Sequence, residues 1–252
     1  FHHAAIEAYR AVAWERDDLV ADADHAPLAA DALVADERLD PRRERLDAGA
    51  VTAWPAAAPD PGGTAYFCVI DADGLMVSFI QSNFHGIGAG ISAGDTGVWL
   101  HNRGGGFCLV PGHPNEAAPG KRPLHTLSPT LWTRADGSPA LLLGTRGGHQ
   151  QPQYLLQTIA QLFVAGRSPA AAQAAPRWNM EFEDVGGGSV VSVEARMPVG
   201  VVSGLAARGH HVDAAPDLPS GWGPVSIIEI APDGTRSAAA DPRVSTAEAA
   251  GG

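Results

Sequence analysis

The segment Gly62-Gly63-Thr64-Ala65-Tyr66-Phe67-Cys68-Val69-Ile70 joins a glycine pair to a threonine that opens an apolar strand pattern. A threonine hydroxyl is a weak nucleophile unless a base lies beside it, and chain cleavage just before Thr64 would supply its new α-amine as that base. Such an amine titrates near pH ~8, where a general base works well. The two glycines permit the strained backbone that self-cleavage needs. The segment predicts a self-generated N-terminal threonine nucleophile, with an ordinary strand start as the alternative.

Composition excludes several classes of function. The chain has 252 residues, 45% of them hydrophobic, which suffices for one substantial core or two small ones. The net charge of -11 and the lack of basic clusters argue against a nucleic-acid partner. No apolar run approaches the ~20 residues of a membrane span. We therefore expect no nucleic-acid partner and no membrane span in this segment.

Cysteine and histidine spacing predicts neither a disulfide framework nor a metal site. Cys68 and Cys108 fit no metal motif, and Cys68 lies in an apolar strand pattern where a buried, inert thiol is expected. His149, His210 and His211 have no third partner at metal-ligand spacing. We expect no metal and no cofactor, and we place His210 and His211 at the surface, where they begin a predicted strand.

The periodicity of the chain predicts three β-hairpins with helices between them. The hairpins pair 65–70 with 75–82, 131–134 with 140–143, and 225–230 with 235–239, each across a turn that contains Asp-Gly. The predicted helices are 154–164, 168–174 with a Ser-Pro start, and 199–208. The acidic run 181–184 is interpreted as a solvated loop. Strand pairs without strict β-α alternation predict an α+β layered fold.

The first 63 residues differ in character from the rest. Apolar spacing predicts an amphipathic helix over residues 2–18, and Asp40-Pro41 predicts the start of another helix that stops at Gly49. A Pro/Ala-rich linker over 53–63 suits a processing site, because cleavage needs pliable backbone. The chain opens on Phe1 without a signal peptide, as if trimmed from a longer polypeptide. Its compartment is therefore left open between periplasmic or secreted and cytoplasmic.

A series of short motifs in this order resembles the γ-glutamyltransferase (γ-glutamyltranspeptidase) family. The nucleophile strand from Thr64 is followed by the motifs KRPL at 121–124 and SPT at 128–130, the glycine-rich loop at 144–148, and the motifs APR at 175–177 and DPR at 241–243. The resemblance implies an N-terminal-nucleophile hydrolase with an αββα four-layer sandwich. It implies that residues 1–63 end a large subunit, that 64–252 form the small catalytic subunit, and that most of the large subunit is missing.

The same resemblance implies the catalytic roles. Gly63 and Thr64 would flank the cleavage site, and Thr64 would serve both as the autocleavage and as the catalytic nucleophile. Ser82 matches a family hydroxyl that bonds the nucleophile, and a strand-end serine satisfying local backbone is the alternative. Gly147 and Gly148 would present backbone N–H groups to the oxyanion, with donors worth ~3 kcal/mol each. A plain loop before a helix is the alternative for these two glycines.

Five residues are implied in substrate binding. Asn102 and Arg103 lie where the family reads the α-amino and α-carboxyl ends of glutamate. His125 and Thr126 replace a Ser-Ser pair that contacts the substrate carboxylate, and both retain donors, although a single loop histidine is as well explained as structural. The family has an asparagine at the position of Phe84, and Asn83, one residue earlier, would replace it.

Three departures from the family pattern bear on the acyl group. Phe84 stands at the position of that asparagine, and Arg103 stands where members have Gln or Glu. Gly106 stands where they have an aspartate, so the region that would hold an ammonium carries no acid here. Arginine repels an ammonium and attracts an anion. The alternative is that Arg103 is a solvated surface charge.

Three hypotheses follow. The first is an enzyme that cleaves γ-glutamyl amides such as glutathione and passes the acyl group to water or an amine. The second is an acylase for glutaryl-type groups, as in cephalosporin acylases. The third is an inactive fragment that lacks the rest of its large subunit and exposes hydrophobic surface.

Overall fold

The computed structural model describes residues 1–55, 63–182 and 189–251. Gly62, most of the predicted linker, and the end of the acidic run lie outside the described residues. The helices are α1 His2–Ala13, α2 Arg16–Leu19, α3 Ala30–Leu33, α4 Asp36–Arg43, α5 Gln151–Phe163, α6 Pro169–Ala174 and α7 Val199–Ala206. The strands are β1 Gly63–Ile70, β2 Met76–Phe84, β3 Thr130–Thr133, β4 Pro139–Thr145, β5 Trp178–Phe182, β6 Ser189–Glu194, β7 His211–Ala215, β8 Val225–Ile230 and β9 Arg236–Ala239.

Strands β1 and β2 form the predicted hairpin, which begins at the predicted cleavage site. The strands pair antiparallel from Ile70↔Met76 to Thr64↔Ser82. Their side chains alternate between an inner, half-buried face and an outer, exposed face. Thr64 and Ser82 both lie on the inner face, so the register brings the two hydroxyls together.

The outer face of the hairpin is apolar and exposed. It carries Phe67, Val69, Val77 and Phe79, and the two phenylalanine rings lie 5.0 Å apart. Soluble proteins rarely leave such contiguous apolar area uncovered. The exposed hydrophobic surface expected of this chain is therefore present on this hairpin.

The second sheet has the strand order β3-β4-β8-β9, and all its neighbouring pairs are antiparallel. Leu141, Leu142 and Leu143 are buried in succession on β4, because the hairpin packs on one face of this sheet and α5 and α6 on the other. The predicted hairpins at 131–143 and 225–239 are both confirmed. Ser168 caps α6 by accepting from the N–H of Ala171, as its Ser-Pro start indicated.

Tyr66 seats the hairpin on this sheet. Its ring lies so close to Gly144 of β4 that a Cβ on the glycine would be 2.1 Å from the ring. The Tyr66 hydroxyl bonds the Ser78 hydroxyl across the hairpin at 2.8 Å, and burial raises the pKa of Tyr66. Neighbouring Cys68 is half-buried, and burial raises the pKa of its thiol as expected for an inert cysteine. Only glycine at position 144 allows this close packing.

The third sheet, β5-β6-β7, was not predicted from the sequence apart from the start of β7. Strand β6 pairs antiparallel with β5 and parallel with β7. Trp178, Met180, Val191 and Val193 form its core with Ile6 of α1. Glu181, interpreted as part of a solvated loop, lies instead in β5. The sequence between β5 and β6 contains Gly186-Gly187-Gly188 but not the Asp-Gly turn that marks the other three hairpins.

Two predicted helices have different bounds. The helix predicted over 2–18 divides into α1 and α2. The helix predicted to begin at Asp40-Pro41 begins at Asp36, so Pro41 lies inside α4. Acidic Asp36 and Glu37 favour the earlier N-terminus electrostatically, and Arg38 and Arg42 both pair with Glu15. Within the described chain, no helix is both long enough and apolar enough to cross a membrane.

His210 is buried, and the prediction that it lies at the surface is wrong. Its Nε2 lies 2.7 Å from Nδ1 of His3 on α1, so one ring donates and the other accepts. Burial is the main cause that lowers the pKa of His210 from 6.5 to about 4. His211, the first residue of β7, is exposed as predicted.

We expect the protein to lose stability on acidification through this histidine. Between pH 6.5 and about 4 the unfolded ring binds a proton that the folded ring does not, so the free energy of unfolding falls as the pH is lowered through that window. The unfolding temperature of the wild type at about pH 7 and about pH 4.5 measures the fall. His210→Gln should shrink it, and His211→Gln should leave it unchanged. An equal fall in wild type and His210→Gln would contradict this expectation.

Candidate active site

The hydroxyls of Thr64 and Ser82 face each other across the first strand pair. Thr64 Oγ1 donates to Ser82 Oγ at 3.0 Å. The two residues are register partners on the inner face, so the antiparallel pairing itself holds them at this distance. Thr64 is half-buried and adjoins open space, as a nucleophile must.

A β-bulge lies at the predicted scissile bond. Gly63 pairs with Phe84 whereas Thr64 pairs with Ser82, so Asn83 is the extra residue. Phe84 consequently adopts φ 74°, a left-handed conformation that is unusual for a bulky residue. Its N–H donates to Ser82 Oγ at 2.9 Å. Backbone strain of this kind is frequent at functional sites, and here it aims a donor at the serine that holds Thr64.

A cavity of about 410 Å³ opens beside Thr64. Tyr66 of β1, Arg146 after β4 and Pro224 before β8 line it. Thr64 therefore lies at the wall of a cavity with room for a small molecule.

The glycine-rich loop connects β4 to α5. Gly147 has φ 128° and Gly148 has φ 54°, conformations that glycine adopts readily. Arg146 lines the cavity at Thr64, whereas His149 lines a second cavity of about 450 Å³ with Phe84 and His85. In the sequence, Gly147 and Gly148 therefore lie between Arg146, which lines the first cavity, and His149, which lines the second. That the N–H groups of these two glycines form the oxyanion hole remains a prediction.

Arg103 is buried, so its interpretation as a solvated surface charge is wrong. It is 6% exposed and begins a short 3-10 helix, Arg103–Gly106. The guanidinium stacks 3.6 Å from the centre of the Phe84 ring and donates to Thr126 Oγ1 at 3.0 Å and to the Leu124 carbonyl at 3.5 Å. Two predicted substrate-binding residues, Arg103 and Thr126, therefore belong to one hydrogen-bonded cluster.

The structure has no room for an acidic side chain at Gly106. A Cβ there would lie 2.9 Å from the backbone carbonyl oxygen of Leu124, and this oxygen cannot move like the end of a flexible side chain. The backbone around Gly106 would therefore have to shift before the aspartate implied by the family resemblance could be placed here.

Asn83 and Asn102 are joined through their backbones, since the N–H of Asn102 donates to the carbonyl of Asn83 at 3.1 Å. The Asn102 side chain accepts from the N–H of His85 at 2.9 Å and donates to the carbonyls of His85 and Gly88 at 3.1 and 3.2 Å. Asn102 thus ties the loop after β2 to the bulge.

His125 lies beside this cluster on the exposed side. Partial burial, and then the charge of Arg103, lowers the pKa of His125. Its Nδ1 accepts from the N–H of Leu127 at 3.2 Å. A neutral ring whose Nδ1 accepts keeps its proton on Nε2, which can donate to a ligand.

His149 lies beside the candidate site, and the sequence predicts no role for it. Burial is the main cause that lowers its pKa to about 4, so the ring is neutral near pH 7. With Phe84, Phe107 and Leu124 it lines the second cavity, which Asp17 and Asn115 also border. Its position directly after Gly148 was the only available signal. In the described ranges, no three His, Cys, Asp or Glu side chains are placed to hold a metal ion.

Comparison with known proteins places this geometry in a family. The family model described as γ-glutamyltranspeptidase matches residues 1–251. The chain is 33% identical over 249 residues to the glutathione hydrolase-like YwrD proenzyme of Bacillus subtilis, covering 96% of this chain and 46% of that protein. It is 32% identical over 247 residues to the oxamate amidohydrolase proenzyme of Klebsiella pneumoniae, covering 98% and 46%.

A solved structure agrees with these sequence matches. The cephalosporin acylase from Bacillus halodurans superposes with a TM-score of 0.84 at 33% identity, over 100% of this chain and 45% of that one. The chain therefore spans about half the length of the curated relatives it matches. It belongs to the γ-glutamyltranspeptidase family and has part of the N-terminal-nucleophile hydrolase fold.

Proposed function

We propose that the protein is an autoprocessing amidohydrolase or acyltransferase whose nucleophile is Thr64. The observation that carries this proposal is the Thr64 hydroxyl, bonded to Ser82 at 3.0 Å, at a bulge that begins at Gly63. The names of the matched relatives, all proenzymes, support self-cleavage as the activating step.

Self-cleavage proceeds through an ester. Thr64 Oγ1 attacks the carbonyl carbon of Gly63, the C–N bond breaks, and the nitrogen takes up the proton. Water then hydrolyses the ester, which leaves a carboxylate on Gly63 and a free α-amine on Thr64. In the uncut chain this nitrogen is an amide and cannot act as a base.

Acyl transfer uses the product of that cleavage. The Thr64 amine takes the hydroxyl proton as Oγ1 attacks the substrate amide, and the proton then passes to the leaving amine. Ser82 fixes the direction of the Thr64 hydroxyl, and the N–H groups of the Gly147–Gly148 loop stabilise the oxyanion. Water or an acceptor amine takes the acyl group from Thr64 and restores the enzyme. No step needs a cofactor.

For the acyl group, the site favours amides whose acyl part carries a carboxylate and no free α-amine. Buried Arg103 offers positive charge, and Gly106 leaves no place for the carboxylate that an ammonium needs. Oxamate, the compound named for the Klebsiella relative, is itself an amide of this kind, and the acylase likeness points the same way. γ-Glutamyl amides such as glutathione are the second candidate, supported by relatives named glutathione hydrolase.

We further propose that the rest of a large subunit covers the outer face of the β1-β2 hairpin. Phe67, Val69, Val77 and Phe79 present an apolar surface there that a further layer would bury. The division at residues 63 and 64 into large and small subunits remains a prediction of the same proposal.

Thr64→Ala should abolish self-cleavage and turnover in the full-length protein, because the hydroxyl is lost. Thr64→Ser should cleave slowly, since it keeps the hydroxyl. Mass spectrometry identifies the new N-terminal residue. An active enzyme with an intact Gly63–Thr64 bond, or Thr64→Ala that still cleaves, would refute the nucleophile assignment. A wild-type chain that neither cleaves nor turns over any amide would favour an inactive fragment.

Ser82→Ala should slow turnover by about 10-fold to 100-fold with little change in KM, because it removes the acceptor that orients Thr64. Steady-state kinetics on an anilide of the preferred acyl group measure this. Gln81→Ala is the control, since Gln81 adjoins Ser82 on β2 but lies on the exposed outer face. Equal losses in the two variants would show that Ser82 acts only by stabilising the hairpin.

Arg103→Gln should change acyl selectivity. We expect kcat/KM for glutaryl anilide to fall by about 10-fold to 100-fold, as for a lost charge-assisted hydrogen bond, with a smaller effect on γ-glutamyl anilide. Exposed Arg122 of the neighbouring loop provides the control, Arg122→Gln. A wild-type enzyme that strongly prefers γ-glutamyl anilide would rule out Arg103 as the specificity determinant.

A further inference from the structure

The glycine-rich loop is held from behind by residues 219–224, here called the wedge segment. Gly223 of this segment has φ 43° and touches the loop so closely that a Cβ would lie 2.5 Å from the Arg146 carbonyl oxygen and 2.7 Å from Thr145 Oγ1. A contact this close fixes how near the two backbones lie to each other.

Two hydrogen bonds join the wedge segment to the residues just before Gly147. Thr145 Oγ1 donates to the Pro224 carbonyl at 3.1 Å, and the Arg146 guanidinium donates to the Ser220 carbonyl at 2.8 Å. The wedge segment therefore contacts the loop through both packing and polar bonds.

The ring of Tyr154, on α5, is a common wall for both glycines. A Cβ on Gly147 would lie 2.8 Å from this ring, and one on Gly223 would lie 2.3 Å from it. The ring is 2% exposed, and its hydroxyl donates to Asn179 Oδ1 of β5 at 3.0 Å. Any displacement of Gly223 must therefore move Tyr154 or the loop.

Arg177 holds the other side of the wedge segment. Its guanidinium donates to the Gly223 carbonyl at 2.8 Å, to the Trp222 carbonyl at 3.3 Å and to Asp241 Oδ2 at 2.8 Å. Burial lowers the pKa of Arg177 to about 10, so it remains charged near neutral pH. Burial alone would raise the pKa of Asp241, but the charge of Arg177 and the N–H of Val225 outweigh it and lower that pKa.

We propose that Gly223 and Arg177 are positioning residues for the oxyanion donors of the Gly147–Gly148 loop, acting through the wedge segment without touching substrate. The inference rests on the proposed function, because it assumes that this loop binds the oxyanion. Oxyanion stabilisation requires donors preset at the place where charge develops, so a loop shifted by a few tenths of an ångström loses transition-state binding while substrate binding persists.

Gly223→Ala and Gly221→Ala in the full-length protein form a matched pair. A Cβ on Gly221 meets nothing within 4 Å, whereas one on Gly223 meets backbone and ring atoms. Gly223→Ala should lower kcat by about 10-fold to 100-fold at nearly constant KM. Gly221→Ala should stay within about twofold of wild type. Equal kcat in the two variants, or a loss carried by KM, would overturn the inference.

Thr145→Val and Arg177→Lys keep the inference falsifiable if Gly223→Ala does not fold. Thr145→Val removes the hydroxyl that bonds the carbonyls of Pro224 and Arg146, each at 3.1 Å. Arg177→Lys keeps the charge for Asp241 but loses the planar fork that reaches the Gly223 carbonyl. Both should lower kcat several-fold without raising KM. If both fold and retain kcat, the wedge segment does not position the loop.

Thr64→Ala in the same assay distinguishes failure of the proposed function from failure of the positioning role. If Thr64→Ala retains activity, the proposed function fails. If activity depends on Thr64 but not on Gly223, Thr145 or Arg177, the proposed function stands and only the positioning role fails.

Discussion

The contact between the Tyr66 ring and the backbone of Gly144 is the constraint on which the site depends. Tyr66 lies two residues after Thr64, and Gly144 lies three residues before Gly147. Because no side chain separates ring and backbone, the contact brings the strand of the nucleophile against the strand that leads to the glycine loop. The relative position of attacking hydroxyl and candidate oxyanion donors thus follows from one packing contact between two sheets. The Ser78 bond keeps the ring oriented for that contact.

Buried arginines serve two different purposes in this chain. Arg177 and Arg243 are paired with Asp241 and Glu194, so each buried charge has an opposite partner within hydrogen-bonding distance. Arg103 instead stacks on the Phe84 ring and donates to a hydroxyl and a carbonyl. A buried ion pair is a costly but self-contained unit of structure. We propose that Arg103 bears on acyl selectivity, whereas Arg177 bears on the architecture around the glycine loop.

Strain and close packing concentrate near the nucleophile. The bulge at Asn83 forces Phe84 into a left-handed conformation, and the same turn of the chain directs its N–H to Ser82 and its ring onto Arg103. One local distortion therefore links the hydrogen-bond partner of Thr64 to the packing of Arg103. Backbone strain of this kind is frequent at functional sites.

Local sequence determined much of this protein. The turns with Asp-Gly marked the three hairpins, and Ser168-Pro169 marked the start of α6. The sequence also predicted that Ser82 lies near Thr64, and the two hydroxyls are hydrogen-bonded. These signals work because turns, caps and register depend on neighbours in the chain. The sequence alone did not locate β5 and β6, since their pairing and burial come from α1, α5 and the distant β7.

Only the tertiary structure decided that Arg103 is buried, that His210 is paired with His3, that Gly106 excludes a side chain, and that Gly223 presses on the glycine loop. Each of these facts depends on atoms brought together by packing of segments 18 to 207 positions apart. No local pattern encodes such distances.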